Sequence, residues 1–548
     1  MKKLFVLLVI LLVCVPLIIG CAKEEAAPTP TPAPTPAPAP APTPAPSPAP
    51  SPAPSPAPAP KPSPAPAPTK AAKYGGTLKL ILWASPSGTG GLPAEIFAND
   101  FLSSFHIIEP LLHVDGKGNI IPCLAESYKV ADDLKSITFN LRKGVKFHDG
   151  TDFNAKAAKW NLDNQIARKN VPYWNSVDII DDYTIRLNLN QWSNTIVTGL
   201  DSNASWMVSP TAFDKNGADW MRNNPVGTGP FKFVSFSRDV SYKAVKNPDY
   251  WVKGRPYLDA VEILYVGDPM TQKAALQAGE ADVLQIEPAK VAADLKAMGF
   301  SVEVNVSSTH CLLPDTAHPD SPFANQKVRE AVEYALDREA IARAFSYGFW
   351  GAPYQIPAPS TVPYNPNFTL ARKYNVEKAK QLLAEAGFPN GFSATLLVIP
   401  VGIDRNIPVA IQNNLAAIGI KLELSIPAAI PKFLQDSNTL QNVLVMEPIF
   451  GGTNWNGALS FALRPGMTMM NSVWLRTPEF IELYNKTLSS PTMDVNLIRA
   501  ATDYLSKEAQ IIPVLCGGTG YAFLPYVMNG GWNDRGAGWN PEEIWLDK

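Results

Sequence analysis

The sequence predicts an α/β protein whose folded part has at least two lobes. Apolar residues alternate with polar ones in ITFNLRKGVKF (137–147), YTIRLNLN (183–190) and IKLELSI (420–426), the pattern of half-buried strands. Apolar residues follow three- and four-residue spacing in QKVREAVEYALDREAIARAF (326–345), which predicts a helix. Globular composition runs from residue 74 to residue 548, about 475 residues, which is more than one simple core accommodates.

The amino terminus has the pattern of an export signal. Lys2 and Lys3 precede an apolar run of about 16 residues, which is short for a bilayer span of roughly 20. The run ends in LIIGC, which resembles the lipobox of bacterial lipoproteins. That resemblance implies cleavage after a signal peptide of residues 1–20 and lipidation of Cys21. The alternative is an uncleaved membrane anchor with an incidental cysteine.

Residues 21–73 carry a long alternation of proline with alanine, serine and threonine. Proline fixes its own φ and has no N–H to donate, so neither a helix nor a sheet is expected. The expected state is a disordered or polyproline II spacer that rises about 3.1 Å per residue. Together with a lipid on Cys21, it would hold a domain near a membrane; low-complexity filler is the alternative.

The alternation of helix and strand continues into the carboxyl-terminal half. NVEKAKQLLAEAGF (375–388) begins with Asn375 as a predicted N-cap and reaches Gly387, a residue suited to the left-handed conformation after a helix. IPVAIQNNLAAIG (407–419) then leads directly into the strand at 420–426. Helix and strand in alternation predict layered α/β architecture.

Composition excludes several classes of function. Removing residues 1–20 removes two of the 47 basic residues and none of the 49 acidic ones, so the net charge falls from −2 to −4, which argues against nucleic acid as a partner. No CxxC spacing occurs, and the five histidines form no metal-binding pattern, so no metal or cofactor is predicted. Cys123, Cys311 and Cys516 are expected to be buried thiols, with a bridge between Cys311 and Cys516 left open.

Several segments resemble, in order and spacing, the landmarks of the family 5 extracellular solute-binding proteins, the receptors of peptide, nickel and related ABC importers. The most specific landmark is LRKGVKFHDGT (141–151), and six other landmarks occur with it. These are GGTLKL from residue 75, EPLLHVDGKG from 109, NPVGTGPFKFVSF from 224, NPDYWVKGRPYLDAVEI from 247, ALQAGEADV from 275 and PFANQKVREAVEYALDREAI from 322. The resemblance covers essentially all of 74–548.

The resemblance implies a bilobal, periplasmic-binding-protein-like (type 2) α/β fold with a hinge and an extra third domain. The expected pieces are a first lobe at about 74–110, 225–311 and 500–548, an extra domain at about 111–224 and a second lobe at about 312–499. A ligand would be enclosed between the lobes and would favour the closed form through contacts made only there. No covalent chemistry is implied.

Motifs that suggest catalysis have simpler interpretations. His148 and Asp149 lack a spaced nucleophile, and the turn at Gly150 accounts for them. PVGTGPF (225–231) lacks the lysine of a phosphate loop and is interpreted as a packing turn before a strand. No GxSxG elbow occurs, so the protein is not predicted to be an enzyme.

The best candidate for a ligand contact is the stretch EPIFGGTNWNG (447–457), which its glycines and asparagines mark as a loop. Asn454, Trp455 and Asn456 offer one flat apolar ring between two amides. Peptide-binding members of the family usually place an aspartate here to pair with the ligand's ammonium. This stretch has no aspartate, and the nearest acid is Glu447.

Four further residues are candidates for ligand contact: Trp83, Trp206, His310 and Trp474. Trp83 follows the first predicted strand, on the side that faces the cleft in the family. Trp206 belongs to the extra domain, while His310 and Trp474 lie near the predicted crossover and cleft-side segments. Tryptophan is also a common core residue, so core packing remains the alternative for each tryptophan.

The predicted function is that of an extracytoplasmic substrate-binding receptor of an ABC importer, with a peptide as the first choice of ligand. An oligosaccharide, another polar or aromatic small molecule, or a nickel chelate is the alternative ligand. A solute sensor or wall-associated interaction protein is the alternative from another class. The expected partners are a permease with its ATPase subunits, and the membrane through the lipid on Cys21; the receptor itself is expected to be a monomer.

Overall fold

The computed structural model describes residues 71–86, 88–96, 101–116, 118–286, 289–451, 473–532 and 538–548. All of them belong to one compact unit, Lys70–Lys548. No helix in these ranges is long and apolar enough to cross a bilayer.

Strands make up most of the framework. In chain order they are β1 (Thr77–Leu82), β2 (Leu112–Val114), β3 (Ile120–Pro122), β4 (Ala125–Val130), β5 (Ser136–Leu141), β6 (Trp174–Asp181), β7 (Thr184–Leu189), β8 (Phe231–Ser237), β9 (Ser241–Lys246), β10 (Ala260–Tyr265), β11 (Val283–Ile286), β12 (Ser301–Pro314), β13 (Ser393–Val398), β14 (Lys421–Ser425), β15 (Val443–Phe450), β16 (Ile512–Phe523), β17 (Val527–Met528) and β18 (Trp545–Leu546). The three alternating segments that predicted strands correspond to β5, β7 and β14.

Helices flank the strands. They are α1 (Phe101–Ser104), α2 (Ala155–Ala167), α3 (Thr195–Gly199), α4 (Pro210–Asn223), α5 (Pro269–Gln277), α6 (Ala289–Ala297), α7 (Gln326–Ala335), α8 (Arg338–Phe345), α9 (Val376–Glu385), α10 (Asn406–Ala416), α11 (Ile430–Ser437), α12 (Pro478–Ser489) and α13 (Val495–Lys507). Pro93–Glu95 and Pro322–Ala324 form short 3-10 turns.

Local sequence explains where these helices begin and end. Asn375 accepts a hydrogen bond from the Lys378 amide at 2.9 Å, and Gly387 has a φ of +90°, so both predicted ends of α9 are confirmed. The helical spacing predicted within 326–345 is confirmed, but as two helices rather than one. The segment divides into α7 and α8, because Asp337 accepts from the Ala340 amide at 2.9 Å and starts a new helix.

One ten-stranded sheet runs through the molecule in the order β14-β13-β15-β12-β16-β11-β1-β10-β9-β8. The long antiparallel strands β12 and β16 lie side by side near its centre, where β12 pairs with β15 of one half and β16 with β11 of the other. Two bulges interrupt their pairing, between Asn305 and Ser308 and between His310 and Cys311. Such bulges bend and twist a strand locally, which suits a change of direction between two halves of a sheet.

Three hydrophobic cores among the described residues mark separate parts of the fold. One core, drawn from residues 111–207, surrounds the four-stranded antiparallel sheet β4-β5-β7-β6. A second packs residues 312–446 with the first residues of β16. A third packs β1, β10 and the last residues of β16. The fold is thus the mixed α/β architecture expected. The predicted lobe borders at 311 and 500 fall inside β12 and α13, and the lobe boundaries stay a prediction.

Candidate functional site

The sheet directs the ends of six parallel strands toward one region. β1 is parallel to β10 and β11, and β13 is parallel to β14 and β15. Phe450 at the end of β15 pairs with Ser308, and Ile286 at the end of β11 pairs with Gly520. The carboxyl ends of both parallel sets therefore face each other across residues 305–310 of β12 and 515–520 of β16, which we call the strand crossing. Ligands of open α/β sheets bind outside the carboxyl ends of strands, where the topology switches.

Glu447 is the most unusual residue next to the strand crossing. It lies on β15, three residues from its carboxyl end, and only 4% of it is exposed. Its Oε2 atom has no hydrogen-bond partner among the described residues. Burial raises the pKa of this carboxyl to about 8, because the charged form is disfavoured away from water. A buried carboxyl oxygen without a partner is costly in a native protein, so Oε2 is suited to a ligand group that can donate a hydrogen bond to it.

Thr309 lies on the same face as Glu447. It pairs with Ile449, two residues along β15, and residues two apart on a strand share a face. Its hydroxyl is buried and has no hydrogen-bond partner in the described part of the chain. The sequence reasoning missed Thr309, because a threonine within STHCLLP looks like an ordinary strand residue. Two polar groups without partners on one face strengthen the case for a site here.

His310 lies on β12 in the strand crossing, but its side chain is on the opposite face from Glu447, since it pairs with Pro448. It is 5% exposed, and burial lowers its pKa to about 4, so the imidazole is neutral near pH 7. Its Nδ1 atom has no hydrogen-bond partner among the described residues. A Cβ atom added at Gly517 would lie 2.6 Å from its Nε2, so the glycine makes room for the ring.

The tryptophan candidates separate into two groups. Trp83 directly follows β1 and is half-buried, at a strand end that faces the strand crossing. Trp474 is 1% exposed, donates to Gln510 Oε1 at 3.2 Å and packs against Phe480 with ring centroids 5.3 Å apart. Trp206 is 2% exposed and stacks on Phe101 at 5.1 Å. The surroundings of Trp206 and Trp474 favour the alternative of core packing.

The predicted loop contacts Asn454, Trp455 and Asn456 lie outside the described residues. The residues just before them are described. Gly451 donates its amide to Ser307 O at 2.9 Å, and Phe450 is 62% exposed. The last described residues before this segment therefore lie beside the strand crossing. Phe450, which the sequence reasoning did not single out, is a large apolar side chain open to solvent at this point.

The motifs that resemble catalytic sequences have structural roles. His148 contacts Gly229 O through Nε2 at 3.0 Å, and Asp149 accepts from Thr151 and Ser209, so these residues secure a turn with Gly150 at a φ of +86°. In PVGTGPF (225–231), both glycines pack against the backbone at Ile107, where a side chain would not fit. The packing-turn interpretation is confirmed. No cluster of three metal-binding side chains occurs within the ranges that the structure covers.

Comparisons with known proteins agree with this architecture. Residues 119–448 match the family model described as bacterial extracellular solute-binding proteins, family 5 Middle. The chain is 31% identical over 450 residues to the glutathione-binding protein GsiB of Shigella flexneri, covering 76% of this chain and 85% of that protein.

Solved structures show the same fold. The periplasmic binding protein DppA of Helicobacter pylori, in complex with the peptide STSA, has a TM-score of 0.74 at 23% identity, covering 87% of this chain and 99% of that one. The protein AgaA of A. tumefaciens R10, in complex with agropinic acid, has a TM-score of 0.71 at 28% identity, covering 86% and 99%. The chain therefore has the periplasmic-binding-protein fold, and it belongs to the bacterial extracellular solute-binding proteins of family 5.

Proposed function

We propose that this protein is the substrate-binding receptor of an ABC importer and that its solute is a small peptide whose ammonium group pairs with Glu447. The observation that carries the ligand class is the buried carboxyl of Glu447, which has no partner for Oε2 among the described residues. A ligand ammonium group that enters the site donates the missing hydrogen bond to Oε2. Its positive charge also balances the negative charge of the ionised carboxylate. Charge-assisted hydrogen bonds of this kind are about twice as strong as neutral ones.

The pKa of Glu447 gives this pairing a pH dependence. Without ligand, burial raises the pKa to about 8, so the carboxyl holds a proton near pH 7. An ammonium group favours the ionised carboxylate, and binding then releases that proton. Between pH 6 and pH 8 the affinity should therefore rise with pH, by at most about tenfold per pH unit, until the carboxyl is already ionised in the free protein.

The similarity to GsiB supports a peptide. That protein is glutathione-binding by name and is 31% identical over most of its length. Glutathione is a small peptide-like molecule with one ammonium group, the type of ligand that the Glu447 carboxyl suits. Trp83, Phe450 and the segment with Asn454, Trp455 and Asn456 are proposed as the further contacts. Trp83 and Phe450 lie at strand ends beside the strand crossing, and the segment follows Phe450 in the sequence.

A non-peptide organic solute is the second candidate. AgaA, which is 28% identical, was solved in complex with agropinic acid. A solute without an ammonium group would leave Glu447 protonated and would bind through the aromatic rings and amides instead. The two candidates therefore differ in whether affinity depends on Glu447 and on pH.

Binding is coupled to closure of two lobes. We take the lobes as about 74–110, 225–311 and 500–548, and about 312–499, with the extra domain at about 111–224. β12 and β16 are the described strands that join the two halves of the sheet, and they serve as the hinge. A ligand that contacts both halves favours the closed form by the free energy of the contacts that exist only there. The closed receptor then docks on a permease, a step that needs no covalent chemistry.

The protein acts outside the cytoplasm, as its family does. Lipidation of Cys21 and the proline-rich spacer of residues 21–73 would keep the receptor near the permease. A single acyl chain binds a membrane only weakly, and stable anchoring needs a second signal, which diacylation of a lipoprotein cysteine provides. The receptor is proposed to work as a monomer.

The test is isothermal titration calorimetry of the protein with glutathione, di- to pentapeptides, their N-acetylated forms, oligosaccharides and nickel chelates. At least one free peptide should bind, and its N-acetylated form should bind at least tenfold more weakly. Glu447→Gln should weaken binding of the peptide with a free amino terminus and remove the pH dependence of that affinity. Glu423→Gln, which changes an exposed carboxyl on β14, should do neither.

Two results would contradict the proposal. Binding of a sugar or organic acid without binding of any peptide would assign the receptor to the second candidate. A peptide and its N-acetylated form could instead bind with equal affinity, unchanged in Glu447→Gln. That result would show that Glu447 does not contact the ligand, and it would not contradict the receptor role.

A further inference from the structure

A short segment of the extra domain contacts the second lobe far along the chain. Residues 190–194 connect β7 to α3, and Trp192 and Asn194 contact the carboxyl end of α12. The Trp192 indole N–H donates to Ser490 O at 2.9 Å. The Asn194 backbone amide donates to Leu488 O at 2.9 Å. The Asn194 side-chain amide donates to Thr487 O at 2.6 Å and Thr492 O at 3.2 Å.

Three of these four hydrogen bonds satisfy carbonyl groups at the end of α12, and the fourth reaches Thr492 just beyond it. The last carbonyl groups of a helix have no partner within it, and a glycine in the left-handed conformation commonly closes that end. Here Ser490 follows the helix with a φ of −58° and Pro491 comes next, so the helix does not close its own end in this way. The donors come instead from Trp192 and Asn194, nearly 300 residues earlier in the sequence.

The contact joins two different hydrophobic cores. Trp192 is buried in the core that surrounds the four-stranded sheet. Leu488 is buried in another core, which packs α12 and α13 against β15. Each side is therefore fixed to its own domain, and a relative movement of the two domains must break the hydrogen bonds between them. Water can replace each lost bond, so their net cost is modest and the break is reversible.

We propose that Trp192 and Asn194 form a latch that holds the extra domain against the second lobe when the cleft is closed and that separates when the cleft opens. The latch rests on the hinge motion proposed above, but it does not depend on which solute the protein binds. It would add to the stability of the closed form and slow the release of any ligand. The alternative is that the extra domain and the second lobe move as one body, with this contact permanently made.

Hydrogen exchange distinguishes a latch from a permanent contact. It is measured on the ligand-free, full-length protein in detergent, by mass spectrometry at single-residue resolution. The Asn194 amide reports on the latch. The Asn190 amide donates to Tyr173 O at 2.9 Å within the extra domain, and it serves as the reference four residues away. After correction for intrinsic rates, the Asn194 amide should exchange at least about tenfold faster than the Asn190 amide, because opening of the cleft exposes it without unfolding.

Variants test the same amide. Trp192→Phe removes the indole donor and keeps an aromatic ring, and Asn194→Ala removes the side-chain donors but keeps the backbone amide. Each should speed exchange at position 194 by about threefold or more and leave position 190 unchanged. Asn190→Ala, which removes a bond to Trp174 O inside the extra domain, is the matched control and should leave position 194 unchanged.

Equal protection of the two amides in the unmodified protein would overturn the latch, and so would variants that leave exchange at position 194 unchanged. Because no ligand is added, either outcome is independent of the peptide proposal, which calorimetry alone decides.

Discussion

Glu447 and Cys311 face each other on the neighbouring antiparallel strands β15 and β12, and both side chains are buried. Burial and the nearby Glu447 carboxyl raise the pKa of the Cys311 thiol well above its usual value. The pKa of Glu447 is itself raised to about 8 by burial. Near pH 7 an uncharged acid therefore faces an uncharged thiol, and Leu313, Val445 and Ile449 belong to the same core as Cys311.

Glu447 should make the stability of the ligand-free protein depend on pH. The carboxyl titrates near 4.5 when exposed in the unfolded chain and at about 8 when folded, so between these values the folded protein keeps a proton that the unfolded chain has lost. The free energy of unfolding should therefore fall as pH rises from 4.5 to 8. Glu447→Gln should remove roughly 2–5 kcal/mol of that fall, since one pKa unit corresponds to about 1.4 kcal/mol.

Urea unfolding at pH 5 and pH 8 measures this difference, with Glu423→Gln as the control. Parallel pH profiles for the unmodified protein and Glu447→Gln would mean that the Glu447 carboxyl is ionised or paired in the folded protein.

Replacing Trp455 should affect ligand affinity, whereas replacing Trp474 should affect stability. Trp474→Ala should lower the free energy of unfolding by about 3–5 kcal/mol, because it empties a site packed by Phe480 and hydrogen-bonded to Gln510. Trp455→Ala should weaken the best ligand with little loss of stability, as proposed for a loop contact. Denaturation and calorimetry on both variants compare them, and a large stability loss in Trp455→Ala with unchanged affinity would assign that ring to the core.

Gly517→Ala should disturb the strand crossing. The added Cβ would lie 2.6 Å from Nε2 of His310 and 2.9 Å from its Cδ2, closer than such atoms approach, so the ring or the strand must shift. Overpacking of this kind costs about 1–3 kcal/mol. The double variant with His310→Ala should recover part of the loss, and thermal denaturation of both variants shows whether the ring is the obstacle. No recovery would locate the strain elsewhere, for example at Ser308.

Cys21→Ser should release the receptor from the membrane. Without the thiol there is no site for the first acyl chain, and the export signal alone gives no lasting anchor. The unmodified protein should enter the detergent phase on Triton X-114 partition, and the variant should enter the aqueous phase. Cys123→Ser, which changes a buried thiol in the core around the four-stranded sheet, is the control and should stay in the detergent phase. Detergent partition of Cys21→Ser would favour the uncleaved apolar anchor.

Local sequence pattern predicted those elements whose structure depends on residues close together in the sequence. Alternation located β5, β7 and β14, because each has one buried face and one solvated face, and the caps of α9 followed from the chemistry of Asn375 and Gly387. The run VLVMEPIF of β15 shows no alternation, because all but two of its residues are buried. The loop predicted from Glu447 onward rests on the glycines and asparagines that follow, and it is wrong for residues 447–450, which belong to β15. Its carboxyl end and the tertiary burial of Glu447 could not be deduced from that run.

By itself, the sequence determined the family, the α/β class, the net charge and the supply of candidate side chains, since each depends on residue type and order along the chain. Only the tertiary structure decided which candidates belong together. It put Trp474 and Trp206 in cores, left the Glu447 carboxyl buried beside the strand crossing, and brought Asn194 to the end of a helix nearly 300 residues away. Burial and long-range pairing arise from the sum of contacts over the whole fold, which no local pattern contains.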